Sequence, residues 1–173
     1  MSREVRMVPA DWQHPEGKAL LKDFSKRHAE WVEGSTKWEQ GFEKDYSDYP
    51  LEKWKAKDAE ADISFEEHYG CEPIASDYMP EWPASEATHF MMYETCSEGS
   101  SISPAFETPQ SLARWLADND ASAFGDMTAT YDQWLAMIGR GSSAASMVIN
   151  LNTGAAISGV AAVSESQQQG KIL

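Results

Sequence analysis

The sequence predicts an α+β fold, with a small antiparallel sheet of two hairpins packed with two short helices and preceded by a long N-terminal amphipathic helix. Apolar residues recur every three or four positions over the first quarter of the chain, which is typical of a helix. Two later stretches rich in β-branched and aromatic residues contain turn sequences, which is typical of hairpins. A chain of 173 residues, 42% of them hydrophobic, suffices for one domain.

The N-terminal helix is predicted to run from about Glu16 to Lys44. Gly34 and Gly41 lower the helix preference locally and are the positions at which it would divide in two. Its apolar stripe is either a buried face within the same chain or a seam for a partner helix. On the second interpretation, the candidate helix interface consists of Phe24, Trp31, Trp38 and Phe42.

A linker, a short helix and an irregular loop are predicted to follow. The charged stretch SDYPLEKWKAKDAEAD (47–62) contains a helix-stopping proline and is interpreted as the linker. Ser64 followed by Glu67 forms a capping-box pattern, which predicts a short helix that Gly70 ends. Three prolines between residues 73 and 83 then predict the irregular loop.

Two hairpins are predicted in the second half of the chain. The first joins THFMMYETC (88–96) to ISPAFE (102–107) through the turn SEGSS. The second lies within SMVINLNTGAAISGVAAV (146–163), where NTG supplies the turn. The last ten residues, 164–173, are polar and are predicted to form a flexible tail.

Two short helices are predicted between the hairpins. Thr108 is a favourable N-cap and Pro109 a favourable first helical residue, so one helix is expected to begin there. The other carries apolar residues at helical spacing and is expected to end at Gly139. These elements suggest an N-terminal helical segment over 1–57 and an acidic α+β core domain over 58–163, which together form one globular unit.

The distribution of charge excludes some partners. The net charge is −14, and the segment from Asp58 to Ala113 contains twelve acidic residues and no lysine or arginine. A long segment of one sign is repelled by nucleic acid phosphates and by anionic membranes. We therefore expect neither direct nucleic acid binding nor membrane binding.

The cellular setting is predicted from what the sequence lacks. Cys71 and Cys96 are the only cysteines and show no C-x-x-C spacing, which favours a reducing compartment. The N-terminus has charges and prolines where a signal peptide would need an apolar core, and no apolar run approaches the ~18 residues of a membrane span. The expectation is a soluble cytoplasmic protein.

Metal binding and catalysis are weakly supported. His68, Cys71, His89 and Cys96 are permissible zinc ligands, but only His68 and Cys71 have the spacing typical of a zinc site. We interpret the four as separate side chains and expect no cofactor. The sequence contains neither the G-x-S-x-G elbow of hydrolases nor a phosphate-binding P-loop. The expectation is a protein that is not an enzyme, with a small metal-dependent enzyme as an alternative.

The base-free acidic segment has two interpretations. It is either a solvated face that keeps the protein soluble or a docking surface on which carboxylates take the positions of phosphates. In the second case aromatic side chains would anchor a basic partner at the centre of the contact. The candidate partner-binding residues are Asp77, Tyr78, Glu81, Trp82, Glu86, Glu94 and Glu98.

Several stretches carry a resemblance to a known group of proteins. They are VPADWQHP (8–15), YMPEWP (78–83), the block from residue 88 to 135 that contains ETPQSLARWLADNDASAFG and MTATYDQWL, and SGV (158–160). Together they resemble a family of small acidic proteins encoded by tailed bacteriophages and prophages of proteobacteria. The resemblance implies a setting and carries over no catalytic residues.

In that setting we expect a non-enzymatic accessory protein in the cytoplasm of a bacterial host. It would bind and inhibit a host protein with a basic surface, such as a nucleic-acid-binding defence or transcription factor, by presenting an acidic, phosphate-like surface. The alternative is a structural protein that self-assembles through the N-terminal helix or is associated with the virion. The identity of the partner and the oligomeric state are open.

Overall fold

A computed structural model describes residues 2–47, 53–58, 63–95, 99–140, 147–149 and 156–169. The chain forms two units. The first unit comprises residues 1–20 and 82–173, and the second unit comprises residues 21–81. The boundary predicted between residues 57 and 58 falls inside the second unit. Among the described residues, no helix is long and apolar enough to cross a membrane.

The secondary structure is mixed, as the sequence predicts. The described helices are α1 (Phe24–Glu39), α2 (Phe65–Tyr69), a 3-10 turn (Ala75–Asp77), α3 (Pro109–Asp118), α4 (Tyr131–Gly139) and α5 (Gly159–Gln169). The described strands are β1 (Arg3–Val8), β2 (Phe42–Asp45), β3 (Lys53–Ala56), β4 (His89–Glu94), β5 (Ser100–Ser101), β6 (Met147–Ile149) and β7 (Ala156–Ser158).

The main sheet of the first unit has the strand order β1-β4-β5, and both pairings are antiparallel. Strand β1 pairs along its whole length with β4, from Arg3 opposite Glu94 to Val8 opposite His89. The sequence did not predict β1, because its arginines make it look like a solvated segment. The predicted hairpin of residues 88–107 exists in reduced form, since β5 has two residues and Phe106 forms only an isolated bridge with Phe90.

The hydrophobic core of the first unit is formed by β4 and three helices. Thr108 caps α3 by accepting a hydrogen bond from the Ser111 N–H at 3.1 Å, and Pro109 is its first residue, so both predictions are confirmed. Helix α4 ends at Gly139 as predicted and starts after a capping box of Thr130 and Gln133. The buried cluster includes Met92, Leu112, Leu116, Trp134, Met137 and Val160.

The C-terminal part of the first unit differs from the prediction in two ways. Strands β6 and β7 do pair as a hairpin, but they form a separate two-stranded sheet, so a single sheet of two hairpins is not confirmed. The residues after β7 form helix α5, which includes residues 164–169 of the predicted tail. Val160 and Val163 of this helix are buried, and burial of these small apolar side chains explains why the segment folds.

In the second unit, the N-terminal helix is shorter than predicted. Helix α1 covers Phe24–Glu39 instead of residues 16–44. Asp23 adopts a left-handed conformation with φ 62°, and Gly41 does so with φ 87°, so the chain leaves the helix at both ends. Strand β2 lies at the end of the predicted helix, and its antiparallel partner β3 lies within the predicted linker of residues 47–62.

Helix α2 of the second unit forms where the sequence predicts a short helix. The Ser64 side chain accepts a hydrogen bond from the Glu67 N–H, and the Glu67 carboxylate accepts one from the Ser64 N–H at 2.7 Å. This capping box starts α2, and Gly70 ends it with φ 92°. Phe65 of α2 then packs its ring 5.3 Å from that of Trp31, which joins α2 to α1.

Position 99 requires a glycine, because the Leu20 carbonyl oxygen and the Arg6 guanidinium lie close to it. Its φ is +98°, and an added Cβ would lie 2.2 Å from the Leu20 carbonyl oxygen and within 2.7 Å of the Arg6 guanidinium. Gly125 also has a positive φ, of +54°, but an added Cβ there would meet nothing within 4 Å.

We therefore expect Gly99→Ala to lower the free energy of unfolding by about 3 kcal/mol or more. Gly125→Ala, the matched control, should lower it by about 1–2 kcal/mol, which is the cost of a left-handed residue alone. Urea unfolding of both variants measures the difference. Equal losses would mean that Gly99 is not held against Arg6 and Leu20.

Candidate functional site

The base-free segment from Asp58 to Ala113 exposes its carboxylates. Of its twelve acidic residues, nine lie in the described part of the chain, and all of these except the half-buried Glu94 are exposed. The exposed ones are Asp58, Glu66, Glu67, Glu72, Asp77, Glu81, Glu86 and Glu107. The predicted site residue Glu98 lies outside the described residues, as do Glu60, Asp62 and Cys96.

Two arginines of the first unit are withdrawn from solvent. Arg3 is 2% exposed and donates hydrogen bonds to the Ser122 carbonyl oxygen at 2.7 Å and to the Ser122 hydroxyl at 2.9 Å. Arg6 is 8% exposed, donates to the Leu20 carbonyl oxygen at 2.8 Å, and places its guanidinium 4.5 Å from the centre of the Tyr93 ring. The first unit contains six basic and twelve acidic residues. Without the two pairs that Arg3 forms with Glu94 and Arg6 with Glu4, four basic and ten acidic residues are left in this unit.

The predicted binding residues of the first unit differ in their availability. Glu86 is exposed, and no described residue forms an ion pair with it. Glu94 is half-buried and lies 3.9 Å from the buried guanidinium of Arg3, so its carboxylate serves the fold. Trp82 is half-buried, with its ring 4.8 Å from that of Trp12 in an edge-to-face arrangement.

The predicted binding residues of the second unit lie together beside α1. The Leu21 N–H donates a hydrogen bond to the Asp77 carbonyl oxygen at 2.9 Å, and the Leu21 carbonyl oxygen accepts one from the Met79 N–H at 2.8 Å. These two bonds align the loop with the start of the helix. The Tyr78 ring lies 5.3 Å from the ring of Phe24. Asp77 is exposed, and Tyr78 is half-buried.

Glu81 completes this arrangement by closing the first turn of α1. Its carboxylate accepts hydrogen bonds from the Ser25 N–H, at 2.9 Å, and from the Ser25 hydroxyl. These bonds favour the charged form and lower the pKa of Glu81 below its ordinary value of 4.5. Glu81 therefore stabilises the N-terminus of α1 and also adds negative charge to the surface.

The aromatic stripe of α1 is largely covered within the second unit. Trp38 is buried, with its ring 6.1 Å from Phe65 and 5.9 Å from Tyr69 of α2. Trp31 packs against Phe65 and donates its indole N–H to the Gly70 carbonyl oxygen at 3.1 Å. A partner helix that used this stripe would have to displace α2. Of the four candidate interface residues, Phe42 is the one that lies in a strand and is exposed.

The four candidate zinc ligands show no convergence where they are described. His68 stacks near Trp38 and Tyr69, and Cys71 is exposed. His89 belongs to the first unit, where its ring nitrogen contacts the Thr88 hydroxyl at 3.0 Å. Among the described residues, no group of three or more His, Cys, Asp or Glu side chains could hold a metal ion.

Burial and helix capping explain the shifted pKa values of two titratable groups. Burial raises the pKa of Tyr93, whose hydroxyl accepts a hydrogen bond from the Trp12 indole and donates one to the Met91 sulfur. The pKa of Glu67 is lowered by its capping-box bonds to Ser64. Each of these two groups is engaged in packing or capping.

Comparisons with known proteins returned no match to a protein-family model, to a curated protein or to a solved structure. The resemblance to phage-encoded proteins therefore stays a prediction.

Glu81 provides a test of the loop beside α1. Because its pKa is lowered in the folded protein, its contribution to stability is complete above pH 4.5 and is lost as the pH falls below that value. We expect Glu81→Gln to reduce the free energy of unfolding at pH 7 and to flatten its decline between about pH 5 and 3.

The matched control is Glu33→Gln, since Glu33 is exposed on α1 and forms no ion pair with a described residue. This change should lower the free energy of unfolding at pH 7 by less than Glu81→Gln does. Urea unfolding at a series of pH values measures both variants. Parallel curves for wild type and Glu81→Gln would show that Ser25 does not hold the charged carboxylate.

Proposed function

We propose that this protein is a non-enzymatic binding protein whose exposed, base-free carboxylates dock onto a basic surface of a partner protein. The observation that carries the proposal is the imbalance of surface charge. Eight carboxylates of the base-free segment are exposed, whereas Arg3 and Arg6 are buried and pair with the largely buried Glu94 and Glu4.

The exposed carboxylates that lack a described ion-pair partner are the most suitable for binding. Asp77 in the second unit and Glu86 and Glu107 in the first are of this kind. A carboxylate of this kind can meet a lysine or arginine of a partner without first breaking an ion pair with a described residue. Asp77 accepts a hydrogen bond from the Ser76 hydroxyl at 3.3 Å. Glu81 and Glu94 hold the fold and are expected to add to the field around the protein without contacting the partner.

The physical basis is imitation of a polyanion. A protein that binds DNA or RNA carries a groove of lysine and arginine, and exposed carboxylates can occupy such a groove in place of phosphates. Charge of one sign also accelerates encounter, and this effect acts over a screening length of about 8 Å at physiological salt. Tyr78 and Trp82, each half-buried, offer aromatic surface next to exposed acids.

The resemblance to phage-encoded proteins supports a particular setting for this activity. The partner would be a nucleic-acid-binding defence or transcription factor in the cytoplasm of a bacterial host. Occupation of its groove would inhibit it without any chemical step.

The proposal is tested by reversing charge at Asp77, Glu86 and Glu107 together, each to Lys. The matched control reverses Glu16, Glu33 and Glu39, which are exposed, lie outside the base-free segment and form no ion pair with a described residue. Both triple variants change the net charge from −14 to −8, because each reversal adds two positive charges. The tagged proteins are used to capture partners from a nuclease-treated proteobacterial lysate, at low and at moderate salt.

We expect wild type and the control variant to retain the same lysine- and arginine-rich protein, and the Asp77, Glu86 and Glu107 variant to lose it. Thermal unfolding should show that both variants stay folded. Equal retention by all three proteins would contradict the proposal, as would equal loss from both variants, which would indicate a response to net charge alone.

A further inference from the structure

The first unit contains a cleft between the loop that follows β1 and strands β4 and β5. Its volume is about 370 Å³, at the small end of the ~300–1,000 Å³ that is typical of small-molecule sites. The apolar part of its lining includes Trp12, Met91 and Pro104. None of the nine lining residues is a lysine or an arginine.

The aromatic wall of the cleft is held in place by contacts within the first unit. The Trp12 indole N–H donates a hydrogen bond to the Tyr93 hydroxyl at 3.1 Å, and the Trp12 ring lies 4.8 Å from the Trp82 ring. The His14 ring lies 5.4 Å from the ring of Tyr93, edge to face. A wall that is ordered before binding reduces the entropy lost when a ligand enters.

The polar lining offers hydrogen-bond acceptors that have no partner among the described residues. Three such groups are the Asp11 carboxylate, the Gln13 side-chain amide oxygen and the Ser101 hydroxyl. A protonated primary amine carries three N–H donors and no acceptor. Its hydrogen-bonding capacity therefore matches this set of groups.

The His14 ring has an acceptor that is also without a partner. Its Nε2 lies 2.8 Å from the Lys18 carbonyl oxygen, which can only accept, so Nε2 of the neutral ring carries the proton and Nδ1 keeps a lone pair. Nδ1 is buried, and no described residue donates a hydrogen bond to it. The negative end of the ring dipole is thus left without a donor, which favours positive charge nearby.

The charge of the lining also favours a cation. With His14 neutral, the lining side chains carry one negative charge, that of Asp11. Two bases of the first unit are linked to the walls, but neither lines the cleft. Arg6 stacks on the Tyr93 ring and pairs with Glu4 at 3.1 Å. Lys18 is exposed and reaches His14 through its main-chain carbonyl.

We propose that this cleft binds a protonated primary amine carried on a small apolar group, with the ammonium directed to Asp11 and the apolar group against Trp12 and Met91. Gln13 and Ser101 accept the other N–H donors. A cation beside an indole gains a further attraction from the ring quadrupole. This inference does not depend on the proposed function.

Titration of the full chain with phenethylammonium, followed by NMR, tests the proposal. Two analogues keep the same ring. The first, 2-phenylethanol, lacks the charge, and the second, the N,N,N-trimethyl analogue, keeps the charge but has no N–H donor. We expect saturable binding of one phenethylammonium per chain.

Binding of phenethylammonium should be at least about tenfold tighter than that of 2-phenylethanol, because one charged hydrogen bond is worth roughly that factor. It should be at least about threefold tighter than that of the trimethyl analogue, which leaves the acceptors unpaired. Absence of saturable binding would overturn the proposal, as would equal or tighter binding of either analogue.

Two variants separate the cleft from the general charge of the chain. Asp11→Asn should weaken phenethylammonium binding by about tenfold. Asp126→Asn is the matched control, because Asp126 is an exposed aspartate of the first unit that forms no ion pair with a described residue and does not line the cleft. Both changes remove one negative charge, but Asp126→Asn should leave binding unchanged.

The NMR signals of the wild-type chain locate the site independently of the variants. The amide signals of Gln13 and Ser101 and the indole N–H signal of Trp12 should shift on addition of phenethylammonium. Equal weakening by Asp11→Asn and Asp126→Asn would show a response to net charge alone and would contradict the proposal. Unshifted signals of all three residues would show that the cleft is not the site.

Discussion

The guanidinium groups of Arg3 and Arg6, both on β1, are the contacts on which the first unit depends. Burial of a guanidinium is costly unless its donors are satisfied. Arg3 meets this requirement through Ser122 and Glu94, and Arg6 through Leu20 and Glu4. These partners tie segments that are distant in sequence to a single strand, and Gly99 has no side chain because Arg6 and the Leu20 carbonyl occupy that space.

The same burial determines the surface. A positive charge that is paired in the interior contributes little to the field outside, so the exposed carboxylates of the first unit are opposed by few bases at the surface. Arg3 and Arg6 thus connect the fold to the proposed function, although neither is a proposed binding residue. In the second unit the link is different, because Glu81 and Glu67 cap helices and also carry surface charge.

Local signals predicted local structure well. The cap at Thr108, the first helical residue Pro109 and the capping box of Ser64 and Glu67 depend on neighbouring residues only, and all three were confirmed. Strand β1 could not be predicted, because its arginines are compatible with a strand only when Glu94 and Ser122 arrive from elsewhere in the chain. The end of α1 was missed because Gly41 alone does not reveal that β3 offers a pairing partner to Phe42 and the residues after it.

The candidate binding site shows the same difference between what local sequence predicts and what tertiary contacts decide. The sequence identified the acidic segment, since charge is a property of composition, but it could not separate the exposed Glu86 from Glu94, which faces a buried arginine.

The most direct test of the central claim is a competition experiment with the basic protein that the wild-type chain retains from a bacterial lysate. Its equilibrium affinity for the chain would be measured over a series of salt concentrations, with and without a short DNA duplex. Imitation of a polyanion predicts that the affinity falls steeply with salt and that DNA and the chain exclude each other. An affinity insensitive to salt, or a ternary complex with DNA, would contradict it.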